Sequence, residues 1–262
     1  MGLSQTSRLN TQATQFQRAE TEARAFLDAG FVLGAARVAW LGIPSERGVE
    51  TVEIGPARLA VRIFPASGFI DLNHALPDTL VRLFVQGGGL DDAQAESLAE
   101  AVLEYREGPG SRRREAMETY RGPFRVIEDL ALVPGITGDL RDKISSLVTV
   151  YSRNAEVNPH AAPHEVLLVI SGDDAALMED DMQVSGNPLA GGAALDRRLG
   201  GLVRGAGGAG GNAFRVDVQL AWNGRTWSQS RWMQRDPESG DELGVSVLRT
   251  DPVASRPERN TN

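Results

Sequence analysis

Residues 58–76, RLAVRIFPASGFIDLNHAL, carry the reading that decides the fold. Leu59, Val61 and Ile63 alternate with Ala60, Arg62 and Phe64, which is the period of a strand. Pro65, Ser67 and Gly68 then turn the chain. Ile70-Asp71-Leu72-Asn73 is extended again, and from Pro77 to about residue 146 the pattern is helical. Residues 147–163 return to strand. The simplest arrangement is one sheet interrupted by a helical insertion, since loop closure grows costlier only slowly with length.

Upstream, residues 11–41 read as one long helix. Phe16, Ala19, Ala23, Phe26, Gly30, Leu33 and Val38 recur at spacings of three and four, while Arg18, Glu22, Arg24 and Asp28 fall off that stripe. Gly30 and Gly34 each cost a helix roughly 1 kcal/mol relative to Ala, so they signal close backbone packing. Residues 1–10 are polar and expected to fray. Val49–Ile54 and Leu59–Phe64 form a hairpin around Gly55-Pro56. Downstream, Pro77 sits at a first helical turn, Asp91 and Gln94 make a capping box for the next helix, and a charged third helix is expected over 112–120. Two short helices flank Pro134-Gly135-Ile136-Thr137-Gly138, and another starts at Pro163. Residues 171–212 are acidic and then glycine-rich, with short helices expected over 173–182 and 193–203 and a flexible loop from Gly205. Phe214, Val216, Val218 and Leu220 alternate, Asn223-Gly224 marks a hairpin, and Trp227–Met233 and Leu243–Leu248 complete a meander. The tail from Asp251 is expected to be disordered.

With 262 residues, the chain is long enough for a sizeable core. A net charge of −8 argues against a nucleic-acid scaffold, which needs clustered cations. With no cysteine, disulfides, thiolate metal sites and thiol nucleophiles are excluded. No apolar run reaches the length of a membrane span.

Chemistry-bearing clusters are sparse. His160 and His164 are four apart beside Glu165, but Pro163 separates His160 from any helix, so a loop and helix start outweighs a metal pair. The glycine-rich run near 205 lacks the Gly-Lys-Ser/Thr of a phosphate loop. Residues 132–140, LVPGITGDL, resemble a helix-hairpin-helix corner that binds DNA phosphates, yet Glu128, Asp129, Asp139 and Asp142 offset its cations, which favours a packing corner. Asp236, Glu238, Asp241 and Glu242 crowd one loop and are candidate calcium ligands without EF-hand spacing, against the plainer reading of a solvated hairpin tip. Ser67 has no nucleophile-elbow context, and the three histidines offer few bases near neutral pH. A hydrolase would need a carboxylate pair that only the fold brings together.

These segments resemble the K component of the type II (general) secretion pathway, a minor pseudopilin. That family carries a segment like I-D-E-S-G-K-I-N-L-N, met here by Ser67, Gly68, Ile70, Leu72 and Asn73, with Pro65-Ala66 in place of the acidic pair. Leu103–Glu107 matches its L-x-D-W-R-D helix end. Tyr120, Phe124, Asp129-Leu130 and Val133-Pro134-Gly135 match a Y…F…E-L…V-P-G segment. Asn158–Pro163 corresponds to N-x-N-T-A-P with only the first Asn kept, and the resemblance spans about residues 12–250.

The resemblance implies an α+β fold: a pilin-like long N-terminal helix on an antiparallel sheet (residues 11–74 and 147–250), an inserted all-α domain (75–146), and a tail (251–262). It implies a non-enzymatic assembly protein at the tip of the periplasmic pseudopilus, partnered by the I and J minor pseudopilins and contacting secreted cargo. Calcium at the Asp236–Glu242 loop follows from the same resemblance. Family members begin with a basic leader and a membrane-spanning helix that this sequence does not show. The expectation is a truncated or divergent relative, membrane-anchored in full-length form. Phe16, Ala23, Phe26 and Leu33 are expected to contribute to the interface, because the helix stripe is longer than a small sheet covers. The alternative is a helix-hairpin-helix nucleic-acid-binding protein. Asn73 and Asn158 are expected to fix the crossings through side-chain to backbone hydrogen bonds.

Overall fold

The fold is described from a computed structural model that covers residues 2–44, 48–108, 122–172, 211–238 and 242–257, with side chains from Gln15 onward except Phe16. The helices expected over 112–120, 173–182 and 193–203, and the loop over 205–210, lie outside the described residues. The chain divides into two compact units, residues 1–44, 48–64 and 212–262, and residues 45–47 and 65–211.

The first unit is a helix on a sheet. Helix α1 runs Gly2–Leu41, so residues 2–10, expected to fray, are helical. It ends where the Gly42 N–H closes on Val38 O at 2.9 Å. Strands β1 (Gly48–Ile54) and β2 (Ala57–Pro65) form the expected hairpin, paired from Gly48↔Ile63 to Ile54↔Ala57 without a break. Strands β5 (Ala213–Trp222), β6 (Arg225–Arg235) and β7 (Val245–Thr250) form the meander. The sheet order is β1-β2-β5-β6-β7. The chain does not become irregular for good at Asp251: β8 (Ala254–Pro257) pairs antiparallel with the first part of β6, alongside β7 on the second part. Polar side chains hide this strand from a composition-based reading, because its order comes from the β6 backbone.

The core of this unit is α1 against the sheet: Ala23, Leu27, Phe31, Ala35 and Val38 meet Leu59, Val61, Phe214, Val216, Val218 and Trp227. Gly30 and Gly34 face β5. A Cβ on Gly30 would sit 2.6 Å from Val218 Cγ1, and one on Gly34 2.8 Å from Val216 Cγ1. The expectation of close backbone packing at both glycines therefore holds. Arg231 fastens the two layers, bonding Asp28 at 2.5 Å and placing its guanidinium 4.1 Å from the Phe31 ring centre.

The second unit opens with a tight turn at Ala66–Gly68 and strand β3 (Ile70–Asp71). Its partner is β4 (Val148–Thr149), and the two run parallel in a two-stranded sheet of their own. Residues 65–74 and 147–172 therefore fold with the helices and not with the large sheet. The cause is local: N–H groups of the first crossing face carbonyls of the second, with the Ile70 N–H on Leu147 O at 3.2 Å and the Leu72 N–H on Thr149 O at 2.9 Å. Around them pack α2 (Pro77–Arg82), α3 (Asp92–Glu107), α4 (Gly138–Ile144) and α5 (His164–Ser171). Asp91 caps α3 through the Gln94 N–H at 2.8 Å, as its spacing predicts. Gly68 lets two chains touch, since a Cβ there would lie 2.3 Å from Ala161 O.

Gly30→Leu should destabilise the first unit by about 2 kcal/mol, because β5 leaves no room for added carbons. Ala25→Leu, at an exposed position of the same helix, should leave the melting temperature unchanged. Thermal denaturation followed by tryptophan fluorescence checks both.

Candidate assembly surface

A search for chemistry begins at the buried polar groups. Asp71 lies at the centre of the second unit, 1% exposed. Its Oδ1 accepts the Asn73 N–H at 2.8 Å and faces His74 Nδ1 at 3.0 Å. Its Oδ2 accepts the Ser152 N–H and hydroxyl, each at 3.0 Å, and the Arg153 N–H at 2.9 Å. Ser, His and Asp are thus together, but both Ser152 and His74 are bonded to the carboxylate, and Ser152 donates its proton to it. That order gives no activated nucleophile, for which the hydroxyl must face the base. Asp71 is a structural hub that ties the turn after β3 to the chain after β4. Arg106 adds a second tie by donating to Ala75 O at 2.9 Å and Leu72 O at 3.3 Å. Burial pushes the Arg106 pKa down, and the nearby Glu107 and Asp71 charges oppose that shift.

The asparagines act as their positions suggest. Asn73 brackets Phe124, donating to its carbonyl at 2.9 Å and accepting its N–H at 2.7 Å. Asn158 accepts the His160 N–H at 3.1 Å, closing the turn that also docks its own N–H on Ser67 O at 2.7 Å. His160 is buried ahead of α5 and His164 is exposed at its start. Among the described residues no group of three or more His, Asp or Glu side chains converges as a metal site would require.

The candidate calcium ligands divide. Asp236 is half-buried and uses Oδ1 to accept the Glu238 N–H at 3.1 Å, while its own N–H meets Gly244 O at 2.8 Å. Glu238 and Glu242 are exposed, and Asp241 lies outside the described residues. The described part of the loop supplies no oxygen cage by itself. At the helix-hairpin-helix-like corner, Thr137 caps α4 through the Leu140 N–H at 3.2 Å, and exposed Glu128, Asp139 and Asp142 surround it.

The surface that stands out is on α1. Of the four residues expected to contribute to an interface, Ala23 is fully buried in the core and Phe26 is half-buried, its ring 5.1 Å from that of Trp222. Leu33 is exposed, and the Phe16 side chain lies outside the described residues. The sheet therefore covers Ala23 and most of the stripe read from the sequence. On the opposite side exposed Ala25, Val32 and Trp40 and half-buried Ala29 and Ala36 follow one another at spacings of three and four, with exposed Leu33 and Leu41 beside them. Val32 is 59% exposed, Trp40 81% and Leu41 70%. The sequence signal was present: from Ala25 to Leu41 only Asp28 and Arg37 carry charge, so this length of helix is apolar all round. Among the described residues no helix is long and apolar enough to cross a membrane. A contiguous exposed apolar face of this kind is a candidate interaction surface.

No protein-family model matches the sequence, and no curated protein matches it. Among solved structures, a chain of the crystal structure of the GspK-GspI-GspJ complex from the enterotoxigenic Escherichia coli type 2 secretion system is similar. The match has a TM-score of 0.53 at 16% identity, and covers 91% of this chain and 98% of that one. The likeness shows a shared, pseudopilin-like α+β fold.

Asp71→Ala should cost the second unit about 3 kcal/mol, because several buried donors lose their acceptor together. All four tryptophans lie in the first unit. In urea, the helical circular dichroism signal of the variant should fall before tryptophan fluorescence changes, whereas coincident transitions would contradict the separate role of this hub.

Proposed function

We propose that this protein is a minor pseudopilin of a type II secretion system, resembling the K component, at the tip of the periplasmic pseudopilus. Its role is structural: it assembles with companion pseudopilins of the I and J types, helps start the pseudopilus and meets exported protein there. The observation that carries this reading is the outer face of α1. A helix that buries one side on its own sheet and leaves Val32 and Trp40 exposed among alanines on the other is suited to pack against further helices. Ala25, Ala29 and Ala36 supply small side chains for close approach, and Val32 and Trp40 supply the area. The likeness to a chain from a three-pseudopilin complex supports the same reading.

The saturated bonding of Asp71 and Ser152 agrees with a protein that holds partners instead of transforming a substrate. Nucleic acid is not part of the proposal, because exposed Glu128, Asp139 and Asp142 offset the cations of the corner that resembles a phosphate-binding motif, where Arg141 is already paired with Asp142 at 2.8 Å.

The protein mixed with the soluble domains of its I and J companions should elute from a sizing column as one ternary species. Trp40→Ala should weaken that association by about 2 kcal/mol, or roughly thirtyfold, as for a central aromatic anchor. Its melting temperature should not change, because Trp40 touches little of its own unit. Separate elution of all three proteins at tens of micromolar would remove the assignment.

A further inference from the structure

The sheet of the first unit has two unlike edges. One is shared by β7 and β8, which are separated by Pro252 and end at Pro257, and the strand beside them carries an irregularity at Trp232/Met233. Prolines and register breaks are the usual protection of an edge against added strands. The other edge is β1, and it has none of these. It contains no proline or lysine, and all seven of its residues pair with β2 in unbroken register. Its glutamates are neutralised within the unit, Glu50 by Arg37 at 2.9 Å and Glu53 by Arg58 at 3.1 Å. Among the described residues nothing pairs with its outer side.

The turn geometry fixes which groups that edge presents. Gly55 has φ +59° and begins a two-residue loop, so the flanking pair Ile54↔Ala57 exchanges both of its hydrogen bonds inward. Alternation then points the N–H and C=O of Gly48, Glu50, Val52 and Ile54 toward β2. Those of Val49, Thr51 and Glu53 point outward. Beside this edge lies an apolar ledge. Arg37 reaches from α1 to Glu50, and Leu33 and Leu41 stand one helical turn to either side of Arg37 on the same flank, 38% and 70% exposed. On the strand itself, Val52 and Ile54 are only half-buried on the face that packs on α1, the face marked by Leu59 and Val61 of β2.

We propose that the outer edge of β1 is a strand-addition site. An extended, apolar segment of a companion pseudopilin pairs with Val49, Thr51 and Glu53 and places its inward side chains beneath Leu33 and Leu41. Open backbone groups with a parallel apolar ledge specify a strand, because a helix satisfies its own backbone and would leave the edge unpaired. The inference rests on the assignment to a pseudopilin assembly and adds to it a second contact, distinct from the outer helix face.

Amide exchange of the protein, followed by NMR alone and with the I and J soluble domains, tests it. The Val49, Thr51 and Glu53 amides should slow by about tenfold or more in the complex, while Glu50 and Val52, already bonded to β2, should change little. Thr51→Pro removes an outward N–H and no bond to β2, so it should weaken binding by about tenfold with the melting temperature kept. Thr51→Ala should bind as the unaltered protein does. A ternary complex without added protection at these three amides overturns strand addition and leaves the assembly reading standing. No complex at all removes both. If Thr51→Pro melts early, the exchange pattern of the unaltered protein decides.

Discussion

The first unit depends on how closely α1 can lie on β5. Gly30 and Gly34 present no side chain there, so Val218 and Val216 pack against the helix backbone itself. That contact fixes the rotation of the helix about its axis. Once Gly30 and Gly34 face the sheet, Leu27, Phe31 and Val38 must be buried with them, and Val32, Ala36 and Trp40 must point away. The exposed apolar side of the helix is the geometric complement of the glycine contact. The Asp28–Arg231 pair and the cation over Phe31 hold the same orientation from the side.

The second unit depends on a different constraint, the burial of one carboxylate. Removing Asp71 from water is costly unless its oxygens find donors, and the surrounding turns supply them from residues 73, 152 and 153, with His74 Nδ1 beside Oδ1 at 3.0 Å. The demand for donors joins segments some eighty residues apart in sequence. It also explains why β3 and β4, only two residues each, pair with one another. The side chain that suggests catalysis at first sight is spent on holding the crossings together.

Much of this was legible in the sequence. Residue alternation gave the hairpin of β1 and β2 and the meander of β5, β6 and β7, and Asp91 and Thr137 marked helix starts. The stretch at 58–76 was read as a strand followed by a hinge, which is how it behaves. Its second half was harder: Ile70-Asp71 has no periodicity to show which sheet it joins, and the partner lies near residue 148. β8 was missed because its polar residues are ordered by pairing with β6 and not by burial. The residues expected to contribute to an interface divide by exposure. Ala23 and Phe26 belong to the core stripe, and Leu33 to the open flank.

The sequence by itself determined the element types and the largely apolar character of residues 25–41 of α1, because both follow from local spacing and residue chemistry. It also excluded thiol chemistry and argued against phosphate binding, because composition alone governs those. Only the tertiary structure decided which side of α1 is covered, which edge of the sheet stays open and what Asp71 is for. Each of these depends on backbone and side-chain partners far away in the chain, and a single sequence carries no record of which distant groups meet.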